Sequence, residues 1–133
     1  MATEILINDG GAPARILPYT AAEAITAGDA CTIDGNGKLQ KADTGDALQK
    51  FAYAGIALTN IAANAVGSLV TGVGVVLNIN CADVAAGSAM MMGTATPGQL
   101  ILATNAAAAA KAQAVVLEAA ATAGAGLHKC QTI

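Results

Sequence analysis

At 133 residues and a formal net charge of −3, the chain is expected to form one domain. Its six basic residues are scattered and lack interleaved aromatics, which argues against nucleic acid as a partner, and no apolar run reaches the ~18–20 residues of a membrane span. Cys31, Cys81 and Cys130 are too few and too widely spaced for a disulfide framework or a CxxC metal site, and read as small buried hydrophobes.

The pattern then reads in chain order as short strands separated by turns. Residues 1–24 form an extended N-terminal arm. It alternates loosely from Met1 to Asn8, turns at Asp9-Gly10-Gly11-Ala12-Pro13, and is extended again over Arg15-Ile16-Leu17-Pro18-Tyr19. Its apolar content argues for docking rather than for a disordered tail. Residues 25–133 form a single β domain. Ala30-Cys31-Thr32-Ile33 is a strand, Asp34-Gly35-Asn36-Gly37 a hairpin turn, and Lys38 to Lys41 the return. Asp43 to Lys50 reads as a polar loop or short helical turn. Strands follow over 51–59 and 66–71, joined by a connection holding Asn60, Asn64 and Gly67. The β-branched stretch 72–80 is a further strand, its glycines marking a bulge or bend. Met90-Met91-Met92 and Leu100-Ile101-Leu102 are strands flanking the turn Thr96-Pro97-Gly98. Ala106 to Ala114 has the composition of one short helical segment. Strands at 114–118 and 127–132 close the chain.

The chain also resembles itself. Gly28 and Gly87 differ by 59 (87 minus 28), as do Gly67 and Gly126 (126 minus 67), and apolar runs follow each. Gly37-Lys38-Leu39 matches Gly98-Gln99-Leu100 once two residues are inserted. The halves run from about 25–73 and 84–132. Two copies suit a domain with pseudo-twofold duplication rather than a solenoid. The expected fold is mostly β, a small β-barrel or β-sandwich. With only Tyr19, Phe51 and Tyr53 as aromatics, its core is built from Ala, Val, Ile, Leu and Met, and further burial between subunits is expected.

No catalytic pattern emerges. His128 and Cys130, two apart on a strand, share a face, but the 59-residue offset lays them on Leu69 and Thr71, and zinc needs about four ligands. The nine acidic residues fall mostly in turns. The glycine-rich pieces match neither GxxxxGK[ST] nor GxGxxG, and Ser68 and Ser88 sit in no G-x-S-x-G elbow. An enzyme is not expected, nor a metal or other cofactor. Met90, Met91 and Met92 stand out: alternation turns at least one thioether away from the core, where it suits a subunit interface.

Ala27-Gly28-Asp29-Ala30, Gly55-Ile56-Ala57-Leu58 with Val66-Gly67, Ala86-Gly87-Ser88-Ala89, and Val115 to Ala120 together resemble the capsid cement, or head decoration, proteins of tailed bacteriophages. The resemblance spans about Ala24 to the C-terminus and consists of small-residue patterns without a signature motif. It implies a homotrimer on the outer capsid surface of a virion, between capsomers, with the major capsid protein as partner. It implies neither nucleic-acid nor membrane binding. With no charged-then-apolar leader at the start, synthesis in the bacterial host cytoplasm is expected. The arm residues Ile5, Ile7, Arg15, Ile16, Leu17 and Tyr19 are expected to dock on the capsid or a neighbouring subunit. The alternative is a small β-barrel module that recognises a host surface glycan.

Overall fold

A computed structural model describes residues 7–8, 15–43, 53–82, 84–93, 96–104, 112–118 and 125–133. Among these the chain is all β. The strands are β1 (Ile7–Asn8), β2 (Arg15–Thr20), β3 (Ala30–Ile33), β4 (Leu39–Lys41), β5 (Tyr53–Ala57) and β6 (Val66–Thr71). They continue as β7 (Val75–Cys81), β8 (Ala89–Met92), β9 (Leu100–Leu102), β10 (Ala114–Glu118) and β11 (Gly126–Thr132). Of the helical segment expected over Ala106 to Ala114, residues 106–111 lie outside the described residues, Ala112 and Gln113 are not helical, and Ala114 opens β10; of the expected polar loop, 44–50 also lies outside them.

Two sheets of matching connectivity result. The first has the order β2-β6-β5-β3-β4, and its edges meet where Ala21 bridges Leu39 in parallel and the Ala22 amide donates to the Leu39 carbonyl at 2.7 Å. The second runs β7-β11-β10-β8-β9, with β1 appended to β7. It closes where Cys81 pairs Leu100 in parallel and the Ala82 amide donates to the Leu100 carbonyl at 2.9 Å. The chain is thus two five-stranded barrels in tandem. Closure leaves few free edges, which suits a chain whose small side chains bury little area each.

The duplication is longer than the sequence pattern implies. β2 pairs β6 over six residues, as β7 pairs β11, so β2 is the first strand of the first barrel and not part of an arm. The copies are 15–71 and 75–132. Sequence similarity misses β2 because Arg15–Thr20 and Val75–Cys81 share a place in the pairing but not an environment, β2 being largely exposed and β7 largely buried, and of the paired positions only Leu17 and Leu77 carry the same residue. The offset also drifts. Gly28 and Gly87 correspond: their amides donate to the carbonyls of Ala57 and Val116, and both have positive φ, 93° and 86°. In β6 and β11, however, Leu69 lies opposite Ala57 as Cys130 lies opposite Val116, an offset of 61 (130 minus 69). Gly67 therefore corresponds to His128, and Val66 to Leu127. Tyr19 opposite Gly67 becomes Ile79 opposite His128. An aromatic facing glycine in the first copy is replaced in the second by two sizeable side chains facing each other, so a glycine match alone misplaces the register by two residues.

Each barrel has an interior made by strand alternation. Ala21, Cys31, Leu39, Ala57 and Leu69 fill the first, and their counterparts Cys81, Met90, Leu100, Val116 and Cys130 are buried in the second. Local turn chemistry sets the hairpins. Asp34 Oδ1 accepts from the amides of Asn36 (2.8 Å) and Lys38 (2.9 Å), with Gly37 at φ 77° closing the β3–β4 turn. Gly55, at φ 155°, lies where β5 and β6 approach so closely that a β-carbon would collide with the Val70 carbonyl.

Candidate docking surfaces

β2 pairs β6 on one side and carries a proline, Pro18, as an edge strand tolerates. Its apolar residues divide. Ile16 and Leu17 are 47% and 37% exposed, whereas Tyr19 is half-buried and packs against the first barrel's interior. Tyr19 is therefore a core residue rather than a docking anchor. Arg15 starts the strand, opposite Thr71. Ile7 pairs Val76 in the second barrel of its own chain, so β1 adds a strand to an internal edge. Ile5 lies outside the described residues.

The methionine run also divides by alternation. Met90 and Met92 turn into the second barrel, 0% and 9% exposed, and Met91 lies half-buried on the other face. Of the three expected at a subunit interface, Met90 and Met92 are withdrawn from any surface and Met91 remains.

The seam between the barrels has the richest polar geometry among the described residues. Asp29 is 3% exposed. Its Oδ2 accepts from the Thr26 amide and its Oδ1 from Asn80 Nδ2, both at 3.0 Å. Asn80 Oδ1 accepts from Gln99 Nε2 at 3.2 Å. Backbone bonds cross the same seam: Ala30 N to Gly98 O (2.8 Å), Gly98 N to Ala42 O (2.9 Å) and Asn80 N to Gly28 O (2.8 Å). Gly28 has no room for a side chain, because Leu127 Cδ2 occupies the place a β-carbon would take. Beside this network Lys41, Thr96, Pro97 and Leu127 help line an open cavity of about 410 Å³.

The acidic residues, Asp29 among them, read from sequence as turn residues, and nothing in the pattern joins Asn80 and Gln99 to it. The available signal was Asn78 and Asn80 inside an otherwise apolar strand, since amides there need partners. None of the docking residues expected from sequence lines the cavity.

The remaining reactive groups are structural in their surroundings. All three cysteines are buried and free. Cys81 and Cys130 stand 3.7 Å apart, sulfur to sulfur, inside the second barrel. Their mutual hydrogen bond, and then burial, push the Cys81 thiol far above its usual range. Burial, reinforced by the nearby Asp29 carboxylate, pushes Cys31 up to about 12. Thiols so held are poor nucleophiles. His128 is buried on β11, on the same face as Cys130. Among the described residues no group of three or more His, Cys, Asp or Glu side chains could hold a metal ion, and no helix is long and apolar enough to cross a membrane.

A scan against protein-family models and a comparison with curated proteins each return no match for this chain.

Proposed function

We propose that this chain is a structural virion protein: a homotrimeric cement protein that binds the outer surface of a phage capsid between capsomers, contacts the major capsid protein and stabilises the head. The small-residue patterns around Gly28, Gly55, Gly67 and Gly87 support the family assignment. The observation that carries the docking part is β2, an edge strand holding two adjacent large apolar side chains in solvent, Ile16 and Leu17. An edge strand with exposed aliphatics is suited to adding to a neighbour's sheet. A homotrimer touching several capsomers then multiplies weak contacts into firm attachment. The glycan-binding alternative leans on exposed aromatics, and the described ones, Tyr19 and Tyr53, both pack against the barrel cores.

The test is co-sedimentation of purified protein with mature, empty heads of the phage that encodes it, comparing the native chain with Ile16→Glu/Leu17→Glu. The expected result is saturable binding that weakens at least tenfold in the variant. Saturable binding that the substitutions leave untouched moves the contact away from β2. A folded protein with no affinity for expanded heads overturns the reading and brings the host-glycan module forward.

A further inference from the structure

The two barrels are alike, yet they do not meet through like surfaces. The first barrel contributes Gly28, Asp29, Ala30 and Ala42 to the seam, together with Ile56 and Val70, which alternation turns out of its own interior. All six are buried, and Ala30, Ala42, Ile56 and Val70 belong to one continuous cluster with the interior of the second barrel. The second barrel contributes a different surface: Asn80 of β7, Gly98 and Gln99 of the β8–β9 turn, and Leu127 of β11. The contact is heterologous, head to tail.

A heterologous contact between equivalent units leaves one copy of each surface unused. On the second barrel, the counterparts of Gly28, Asp29 and Ala30 are Gly87, Ser88 and Ala89. Gly87 is exposed, with open space where a β-carbon would sit, and Ser88 and Ala89 are half-buried. Val115, Gln131 and Ala103, which correspond to the fully buried Ile56, Val70 and Ala42, are likewise half-buried. On the first barrel, the counterparts of Asn80, Gln99 and Leu127 are Thr20, Lys38 and Val66. Val66 is 68% exposed, whereas Leu127, which rests on Gly28, is 41% exposed.

We infer that copies of this chain join head to tail: the first barrel of one copy docks through Thr20, Lys38 and Val66 onto the second barrel of the next around Gly87 and Ser88, repeating the contact made within each chain. Val66 lies over Gly87 as Leu127 lies over Gly28. Thr20 faces Ser88 as Asn80 faces Asp29, an exchange of two hydroxyls for an amide and a carboxylate. If the rotation from barrel to barrel closes, the product is a ring in which every barrel has the same two neighbours; otherwise it is an open filament. The inference specifies the self-association in the function proposed above and does not depend on capsid binding.

Sedimentation of the purified chain without heads tests it. The native protein is expected to sediment as an oligomer of the 12.9 kDa chain. Val66→Lys and Ser88→Lys damage opposite surfaces, so each alone is expected to be monomeric where the native chain is assembled. Mixed in equal amounts they retain one intact pair of surfaces and are expected to give a 1:1 dimer and nothing larger. Circular dichroism verifies that both are folded; Val66→Ser, which only shortens an exposed side chain, replaces Val66→Lys if that variant unfolds. A monomeric native chain at high concentration, variants that stay assembled, or a folded mixture that stays monomeric each overturns the inference. All three outcomes leave the co-sedimentation result with heads standing or falling by itself.

Discussion

Leu127 covers the α-carbon of Gly28 at the seam, and no side chain fits between them. That contact ties β11 of the second barrel to the turn ahead of β3 in the first. Gly28 also has φ 93°, a conformation that favours glycine, and a β-carbon there would in addition push the Leu127 side chain aside. Gly28→Ala is expected to cost about 3 kcal/mol, from left-handed backbone strain and overpacking together. Gly87→Ala adds only the backbone strain, about 1 kcal/mol, because space around Gly87 is open. Urea denaturation of the two variants measures the difference. Equal losses would mean that Leu127 readily moves aside.

Asp29 holds the seam through a buried carboxylate that accepts from the Thr26 amide and the Asn80 side chain. Asp29→Ala leaves both donors without this acceptor and is expected to destabilise by about 2 kcal/mol. Asp29→Asn is expected to cost less, since one amide oxygen remains to accept. Thermal unfolding checks the order; an alanine variant as stable as the native chain would show that water replaces the carboxylate at no loss.

Gly55 tests the first barrel itself. A β-carbon there strikes the Val70 carbonyl, a backbone atom that cannot swing away, at a residue with φ 155°. Gly55→Ala is expected to abolish the cooperative unfolding transition of this barrel or to lower its midpoint by more than any other single alanine described here. Amide hydrogen exchange at β5 and β6 reads the effect directly.

Cys31 links stability to alkaline pH. Its thiol is raised from 9.0 to about 12 in the folded chain, so the unfolded chain loses this proton first. The contribution is complete below about pH 9 and is lost as pH rises from there towards 12. The slope from this one thiol is about 1.4 kcal/mol per pH unit. Cys31→Ala is expected to flatten the fall by that slope, with Cys81 and Tyr53, both also raised, accounting for what remains. Denaturation midpoints between pH 8 and 11 provide the measurement. An unchanged slope in Cys31→Ala would refute the assignment.

Burial also predicts thiol chemistry. Cys31, Cys81 and Cys130 are each 0% exposed, so a thiol-specific reagent at neutral pH is expected to label none of them in the native state and all three in denaturant. Fast labelling of Cys81 or Cys130 without unfolding would show that the second barrel opens locally.

Much of this fold is written in local chemistry. Alternation and turn residues are decided within a few positions, so Ala30–Ile33, the Asp34–Gly37 turn and the strands at 66–71, 100–102 and 114–118 are readable directly from the residues. So is the duplication at its clearest points, Gly28 with Gly87, because a positive φ admits few residue types. What only the tertiary structure decided depends on neighbours distant in sequence. β2 belongs to a barrel because β6, some fifty residues later, pairs with it, and nothing within Arg15–Thr20 says so. Met90 faces inward and Met91 outward because register is fixed across strands, and three identical side chains carry no register information. The Asp29–Asn80–Gln99 network joins residues from both copies, and each alone looks like an ordinary polar residue. Which surface of one barrel meets which surface of the other follows from packing two similar objects. Their sequence similarity establishes that two units exist and contains no term for how they are placed.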